Sequence, residues 1–301
     1  MALRAGFVGL GNIGKPMARR LLAAGLDTVV LDAVQAPVDE LVREGAKPAR
    51  SPRDLAERVD VVGVCVRDDA DVRAVIGGDD GLLAGAARGS VIALHSTILP
   101  STVREVGAAA AERGVGVLDA CVTGGAANAA AGKLTYMVGG DAAHLERCRP
   151  AFETSAANIV HTGPLGTGAA TKLCNNLMTY LAWLSAFESH KLARASGLSQ
   201  EKLEEVTRSN GNLTEPMQAF LALHKAPEDT RKSSGFQAML RNFVTLAEKD
   251  LAVTLAFARE SGVALPGTGL VSQLMARVYG LVVKAGVHRA PYGKSLPAAA
   301  T

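Results

Sequence analysis

The sequence predicts an α/β domain followed by an all-α domain, with one long helix between them. Three observations carry this. Over residues 1–165, short β-rich runs alternate with helical runs, the pattern of βαβ units and a mostly parallel sheet. Over residues 166–196 a single uninterrupted helical run ends at Gly197, a C-cap signal. Over residues 197–301 every periodic segment is helical and no convincing strand remains.

The elements follow in order. Strands are expected at Ala5–Val8, Thr28–Leu31, Val59–Val66, Ser90–Leu94, Gly116–Leu118 and Leu134–Val138. Helices are expected between them at Ile13–Ala24, Pro37–Glu44, Pro52–Arg58, Asp69–Ile76 and Pro100–Arg113. The long helix is expected over Ala169–Ser196, followed by Gln200–Arg208, Glu215–Leu223, Phe236–Gly262 and Gly267–Val283. The tail HRAPYGKSLPAAAT is Pro- and Ala-rich and is expected to be loose.

Composition narrows the function classes. Apolar residues make up 48% and charged residues 20% of 301, an ordinary globular mix. The net charge is only +3 and Lys and Arg form no run, so nucleic acid is not an expected partner. No apolar stretch is long enough to span a membrane. The start, MALRAGFVGLG, enters a strand at once, with no room for a signal peptide. Cys65, Cys121, Cys148 and Cys174 are scattered without a CxxC pair, the usage of reduced thiols in a cytoplasmic protein. No Cys/His spacing suits a metal, so none is expected.

Gly9-Leu10-Gly11-Asn12-Ile13-Gly14 reads GxGxxG between a strand and a helix, the context of a dinucleotide-binding, Rossmann-type domain. The first glycine makes the turn, the second admits a pyrophosphate, and the third lets helix and strand pack. Asp32 ends the second strand, where a carboxylate accepts hydrogen bonds from ribose hydroxyls and repels a 2′-phosphate. Ala33-Val34-Gln35 supply no cation to neutralise one. NAD is therefore expected over NADP.

A second glycine loop holds Thr123-Gly124-Gly125. A hydroxyl and two open backbone amides can hold a carboxylate, and they can equally make an ordinary turn. The long helix carries Lys172 near its start, and Asn175 and Asn176 at i+3 and i+4 share its face. Lys172 can snorkel to water from a helix edge, or carry protons in a cleft where partial desolvation lowers its pKa. Cys174 points the other way and is expected in the core.

Together these pieces resemble the β-hydroxyacid dehydrogenase family over nearly the whole chain. FVGLGNIGKPMARRL matches the family's N-terminal FxGLGxMGxxMAxNL. Asp119-Ala120-Cys121-Val122-Thr123-Gly124-Gly125 matches DxPVSGG, Gly166 to Asn176 matches GxGxxxKxxNN, and Lys249-Asp250-Leu251 matches KDL. The resemblance implies an NAD(P)-dependent oxidoreductase that interconverts a small 3-hydroxy acid and its semialdehyde or keto acid. Lys172 would be the general acid/base. Thr123, Gly124, Gly125 and Asn176 would bind the substrate. Gly9, Gly11, Asn12, Ile13, Gly14, Asp32, Val66, Arg67, Thr97 and Lys249 would line the cofactor. Asn175 would support the helix start, and Asp250 would help close the cleft. The helical domain would serve substrate binding and dimerisation. The implied partners are a small carboxylate substrate and further copies of the chain, in a homodimer or homotetramer.

Departures from the family cluster at the substrate end. Thr123 replaces a serine, Cys121 a proline, and His95 the usual acid before Ser96-Thr97, read as a local substitution without a catalytic role. Arg67-Asp68-Asp69 replaces a proline-led loop. Two other readings stay open: a semialdehyde reductase running chiefly in reduction, and a non-catalytic dinucleotide-binding oligomer of the same fold.

Overall fold

The computed structural model describes residues 3–282. Eight strands form one sheet among these residues: β1 (Arg4–Val8), β2 (Asp27–Leu31), β3 (Lys47–Pro48), β4 (Val61–Val64), β5 (Val91–Leu94), β6 (Gly116–Thr123), β7 (Leu134–Gly139) and β8 (Ala156–Gly163). Their order is β3-β2-β1-β4-β5-β6-β7-β8. All neighbours are parallel except β6 and β7. The order reverses between β1 and β4, the switch point where open α/β sheets leave a crevice at the strands' carboxyl ends.

The connecting helices are α1 (Gly14–Ala23), α2 (Gln35–Arg43), α3 (Pro52–Ala56), α4 (Asp69–Ile76), α5 (Leu82–Gly85), α6 (Pro100–Glu112), α7 (Gly125–Ala131) and α8 (Ala142–Phe152). Local chemistry starts several of them. Ser51 accepts the Asp54 N–H and Pro52 follows it, Asp68 accepts the Asp71 N–H, and Asp141 accepts the Ala143 N–H. One sheet face packs Phe7, Met17, Leu118, Tyr136 and Phe152; the other packs Leu55, Val64, Leu82, Ile92, Leu94 and Ile98. Truncating one of the fully buried leucines there to alanine costs about 2–5 kcal/mol.

The remaining helices are α9 (Thr167–Ala195), α10 (Gln200–Ser209), α11 (Glu215–Lys225), α12 (Glu228–Lys232), α13 (Ser234–Glu260) and α14 (Pro266–Tyr279). The chain divides into two compact units. One holds the chain up to Asn176 with Val253–Ala264, and the other holds Leu177–Ala252 with the chain from Leu265 on. The helical unit has its own core, in which Trp183 stacks on Phe220 at 5.2 Å and meets the Tyr279 edge at 5.8 Å. Gly197, at φ +75°, closes α9, with Leu198 N–H donating to Ala193 O at 2.9 Å.

Expectation and structure differ in places. β6 runs on past Leu118 to Thr123, because β7 pairs with it from Asp119 onward. The stretch after it is a short helix, α7, where an open loop was expected. β3 and β8 carry no sequence signal: β3 has two residues, and β8 is an edge strand largely open to solvent, so neither alternates apolar and polar residues. Cys174 is exposed and not in the core, since the buried side of that turn falls to Leu173 and Asn176. α14 stops at Tyr279, where Gly280 takes φ +74°. The tail from His288 on lies outside the described residues. Among the described residues, no helix is long and apolar enough to cross a membrane, and no group of three metal-ligating side chains exists.

Candidate active site

The predicted cofactor residues of the α/β unit lie at the carboxyl ends of its central strands. Gly9 follows β1 at φ +92°, and its N–H donates to Leu31 O at 3.0 Å. A Cβ there would stand 2.2 Å from Cys65 O, so the turn packs directly on the end of β4. A Cβ on Gly14 would stand 1.9 Å from Gly9 O, which forces glycine where α1 passes β1. Gly11 differs: a Cβ there would meet nothing within 4 Å. Neither strain nor a protein neighbour requires glycine at position 11, whereas close approach by a pyrophosphate does. Asn12 and Ile13 complete the turn, and no side chain caps the first turn of α1, where Lys15 N–H donates to Gly11 O at 3.1 Å and Pro16 carries no N–H. The residues present therefore fit a dinucleotide.

Asp32 braces this turn. Its Oδ2 accepts the Leu10 N–H at 2.5 Å and its Oδ1 accepts the Val34 N–H at 2.7 Å. A carboxylate offers about four acceptor positions, so two remain for ribose hydroxyls. The next loops join the same edge. Val66 N–H donates to Ser96 Oγ at 2.9 Å, tying the β4 and β5 ends together beside Thr97. Asp69 Oδ1 accepts the Leu99 N–H at 3.0 Å, which fixes the far side of the Thr97 loop. The acidic pair of the Arg67-Asp68-Asp69 loop thus has two tasks: Asp68 caps α4 and Asp69 holds the neighbouring loop. Arg67 is exposed and pairs with Asp68 and Asp71 at 3.3 and 3.2 Å.

His95 lies behind this edge, buried. It stacks on Phe7 at 5.7 Å and meets Tyr136 and Phe152 edge-on. Its Nδ1 lies 2.7 Å from Ala120 O, an acceptor, so Nδ1 carries the proton and Nε2 does not. Burial pushes its pKa down to about 4. It is a neutral link between β5 and β6.

β6 then delivers Thr123, paired with Thr135 of β7, and Gly124 and Gly125 follow at φ +127° and +78°. Both conformations favour glycine, and a Cβ on Gly125 would meet nothing within 4 Å. Asn128 Nδ2 donates to Gly124 O at 2.9 Å and holds the turn. Lys172 stands on the second turn of α9, half-buried, and Asn176 on the next turn is only 7% exposed. Asn175 Nδ2 reaches Asn176 Oδ1 at 3.5 Å. Lys249 and Asp250 lie in the helical unit. Both are buried, with Lys249 Nζ 2.8 Å from Asp250 Oδ1, while Tyr180 Oη donates to Asp250 Oδ2 at 3.1 Å.

Comparison with known proteins matches both parts of this chain. Residues 4–163 match the NAD binding domain of 6-phosphogluconate dehydrogenase, and residues 166–285 match the NAD-binding region of NADP-dependent 3-hydroxyisobutyrate dehydrogenase. The NAD-dependent L-serine dehydrogenase of Pseudomonas aeruginosa is 39% identical over 93% of this chain and 92% of its own. The chain belongs to the β-hydroxyacid dehydrogenase family.

Other members agree. The 3-hydroxyisobutyrate dehydrogenase of the same bacterium is 36% identical over 89% of each chain. The solved Mycobacterium tuberculosis 3-hydroxyisobutyrate dehydrogenase with L-serine is 30% identical, covers 93% of this chain and 94% of its own, and has a TM-score of 0.79. As a family member, the chain is an oxidoreductase with a nicotinamide dinucleotide cofactor. The sequence motifs give Asp69, His95, Ser96 and Asp119 no part in bracing the strand ends and loops of this site, although the structure does. For Asp119 a signal existed: an acid inside the apolar run GVLDACV is costly to bury without partners.

Proposed function

We propose that this dehydrogenase interconverts a small 3-hydroxy acid and its semialdehyde or keto acid, with Lys172 as general acid/base. The observation that carries this is the pairing on α9 of a half-buried Lys172 with a buried Asn176 four residues on, past a start fixed by buried backbone contacts. In oxidation Lys172 accepts the substrate's hydroxyl proton; in reduction it returns that proton and stabilises the developing alkoxide. The Thr123 hydroxyl and the Gly124 and Gly125 amides grip the carboxylate, converting binding into orientation. Asn176 orients the reacting end, and Asn175 supports the helix start or the loop before it. The nicotinamide, when bound, takes or supplies the hydride.

NAD is the preferred cofactor. The Asp32 charge opposes a 2′-phosphate, and Ala33-Val34-Gln35 offer no counter-charge. The chain works in the cytoplasm as a homodimer or homotetramer, a reading supported by its four cysteines, none of them in a disulfide, and by Met178 and Leu192, both 71% exposed on α9.

The test is a panel of L-serine, 3-hydroxyisobutyrate, 3-hydroxypropionate, glycerate and 2-(hydroxymethyl)glutarate, each with NAD and NADP. Reduced cofactor should form with at least one acid, faster with NAD. Lys172→Ala should lose about 10²–10⁴-fold in kcat with NAD binding unchanged. Full activity in that variant sinks the lysine's assignment, and NAD binding without turnover on any acid favours the non-catalytic reading. Strong preference for NADP overturns the Asp32 argument.

A further inference from the structure

Asp119 is a buried carboxylate that the reaction above leaves without a task. It sits within β6, between Leu118 and Ala120, with none of its surface exposed. Its Oδ1 accepts the Gly166 N–H at 3.0 Å and its Oδ2 accepts the Ala169 N–H at 2.7 Å. Both amides lie at the start of α9, where backbone N–H groups have no partner within the helix.

The surroundings are shaped around this contact. A Cβ on Gly139 would stand 2.5 Å from Asp119 Oδ1 and 2.8 Å from Gly168 N. A Cβ on Gly168 would stand 2.2 Å from Asp119 O and 2.6 Å from Met137 O. Two glycines thus let β6, the end of β7 and the first turn of α9 close on one carboxylate. Burial pushes the Asp119 pKa up, and the amide bonds oppose that shift. Both oxygens face N–H donors, so the ionised form, which only accepts, is the one that fits.

We propose that Asp119 is the positioning residue of the active lysine. It locks the start of α9 to β6, and β6 ends four residues later in the Thr123–Gly125 carboxylate grip. Lys172 lies three residues past Ala169, about 4.5 Å along the helix axis. One strand therefore sets both where the substrate is held and where its proton goes, and its buried negative charge favours the lysine's ammonium. This rests on the reading of Lys172 as acid/base.

Asp119→Asn and Asp119→Ser test it in the full chain. Competitive labelling of lysine amines across pH, read by peptide mass spectrometry, follows Lys172 without needing turnover. In both variants Lys172 should titrate roughly half to one pH unit lower, since one nearby negative charge is gone. Amides of the 164–172 segment should exchange about 10-fold faster or more. On an accepted hydroxy acid, kcat should fall about 10–100-fold from misplacement alone, with KM for NAD within about twofold. An unchanged Lys172 titration overturns the proposal whatever happens to kcat. Loss of fold in both variants also overturns it, because Asp119 would then serve the fold and not the lysine. If the wild-type chain turns over no acid, the reaction reading fails, while the labelling shift still decides the role of Asp119.

Discussion

His95 should make the α/β unit lose stability as pH falls, by an amount the structure sets. The ring is neutral, buried among Phe7, Tyr136 and Phe152, and its pKa lies at about 4 against an ordinary 6.5. The unfolded chain therefore binds this proton more readily than the folded one. Between pH 6.5 and 4, stability must fall with falling pH; above 6.5 the contribution is constant. At 1.36 kcal/mol for each unit of difference, the loss by pH 4 is about 3 kcal/mol. His95→Gln keeps an N–H for Ala120 O and removes the titration. Native-state hydrogen exchange in rising urea, read on peptides from β1, β4 and β5, reports this unit and not the helical one. Between pH 7 and pH 4 the wild type should lose about 3 kcal/mol more than the variant, which shares every other titrating group. Parallel losses in the two proteins would refute a buried neutral His95.

Two further predictions concern the cofactor edge. Gly11→Val should leave the thermal midpoint nearly unchanged, because its side chain enters open space, yet weaken NAD binding at least about 10-fold by calorimetry; unchanged affinity would remove Gly11 from the pyrophosphate site. Asp69→Ala strips the Leu99 N–H of its acceptor and should cost about 1–3 kcal/mol in denaturant unfolding. It should also raise KM for NAD through the Thr97 loop, and a variant with wild-type stability and KM would show that this bond holds nothing.

The short-range signals were strong where one residue's chemistry decides the backbone. Asp69–Ile76 is helical as its spacing predicts, capped by Asp68. The glycine turn lies between β1 and α1, and Gly197 closes α9 in a left-handed conformation. The misses were elements whose definition is a neighbour. β8 shows no alternation because much of it faces water. The extension of β6 exists through its pairing with β7. Cys174 and Asn176 are two residues apart on one helix, and which side is buried depends on what packs there.

By itself the sequence determined the division into an α/β part and a helical part, six of the eight strands, the glycine turn with its acid, and the lysine–asparagine face of α9. Each is a matter of backbone conformation or helical period, properties that a residue and its near neighbours carry. Only the tertiary structure decided what those residues lean on. Asp119 reads as an acid misplaced in an apolar strand until the amides of Gly166 and Ala169, 47 and 50 residues away, close on its oxygens. His95 reads as an odd substitution until its Nδ1–H donates to Ala120 O and three rings enclose it. A buried polar group is stable only with partners, and those partners come from distant segments that meet only when the sheet assembles.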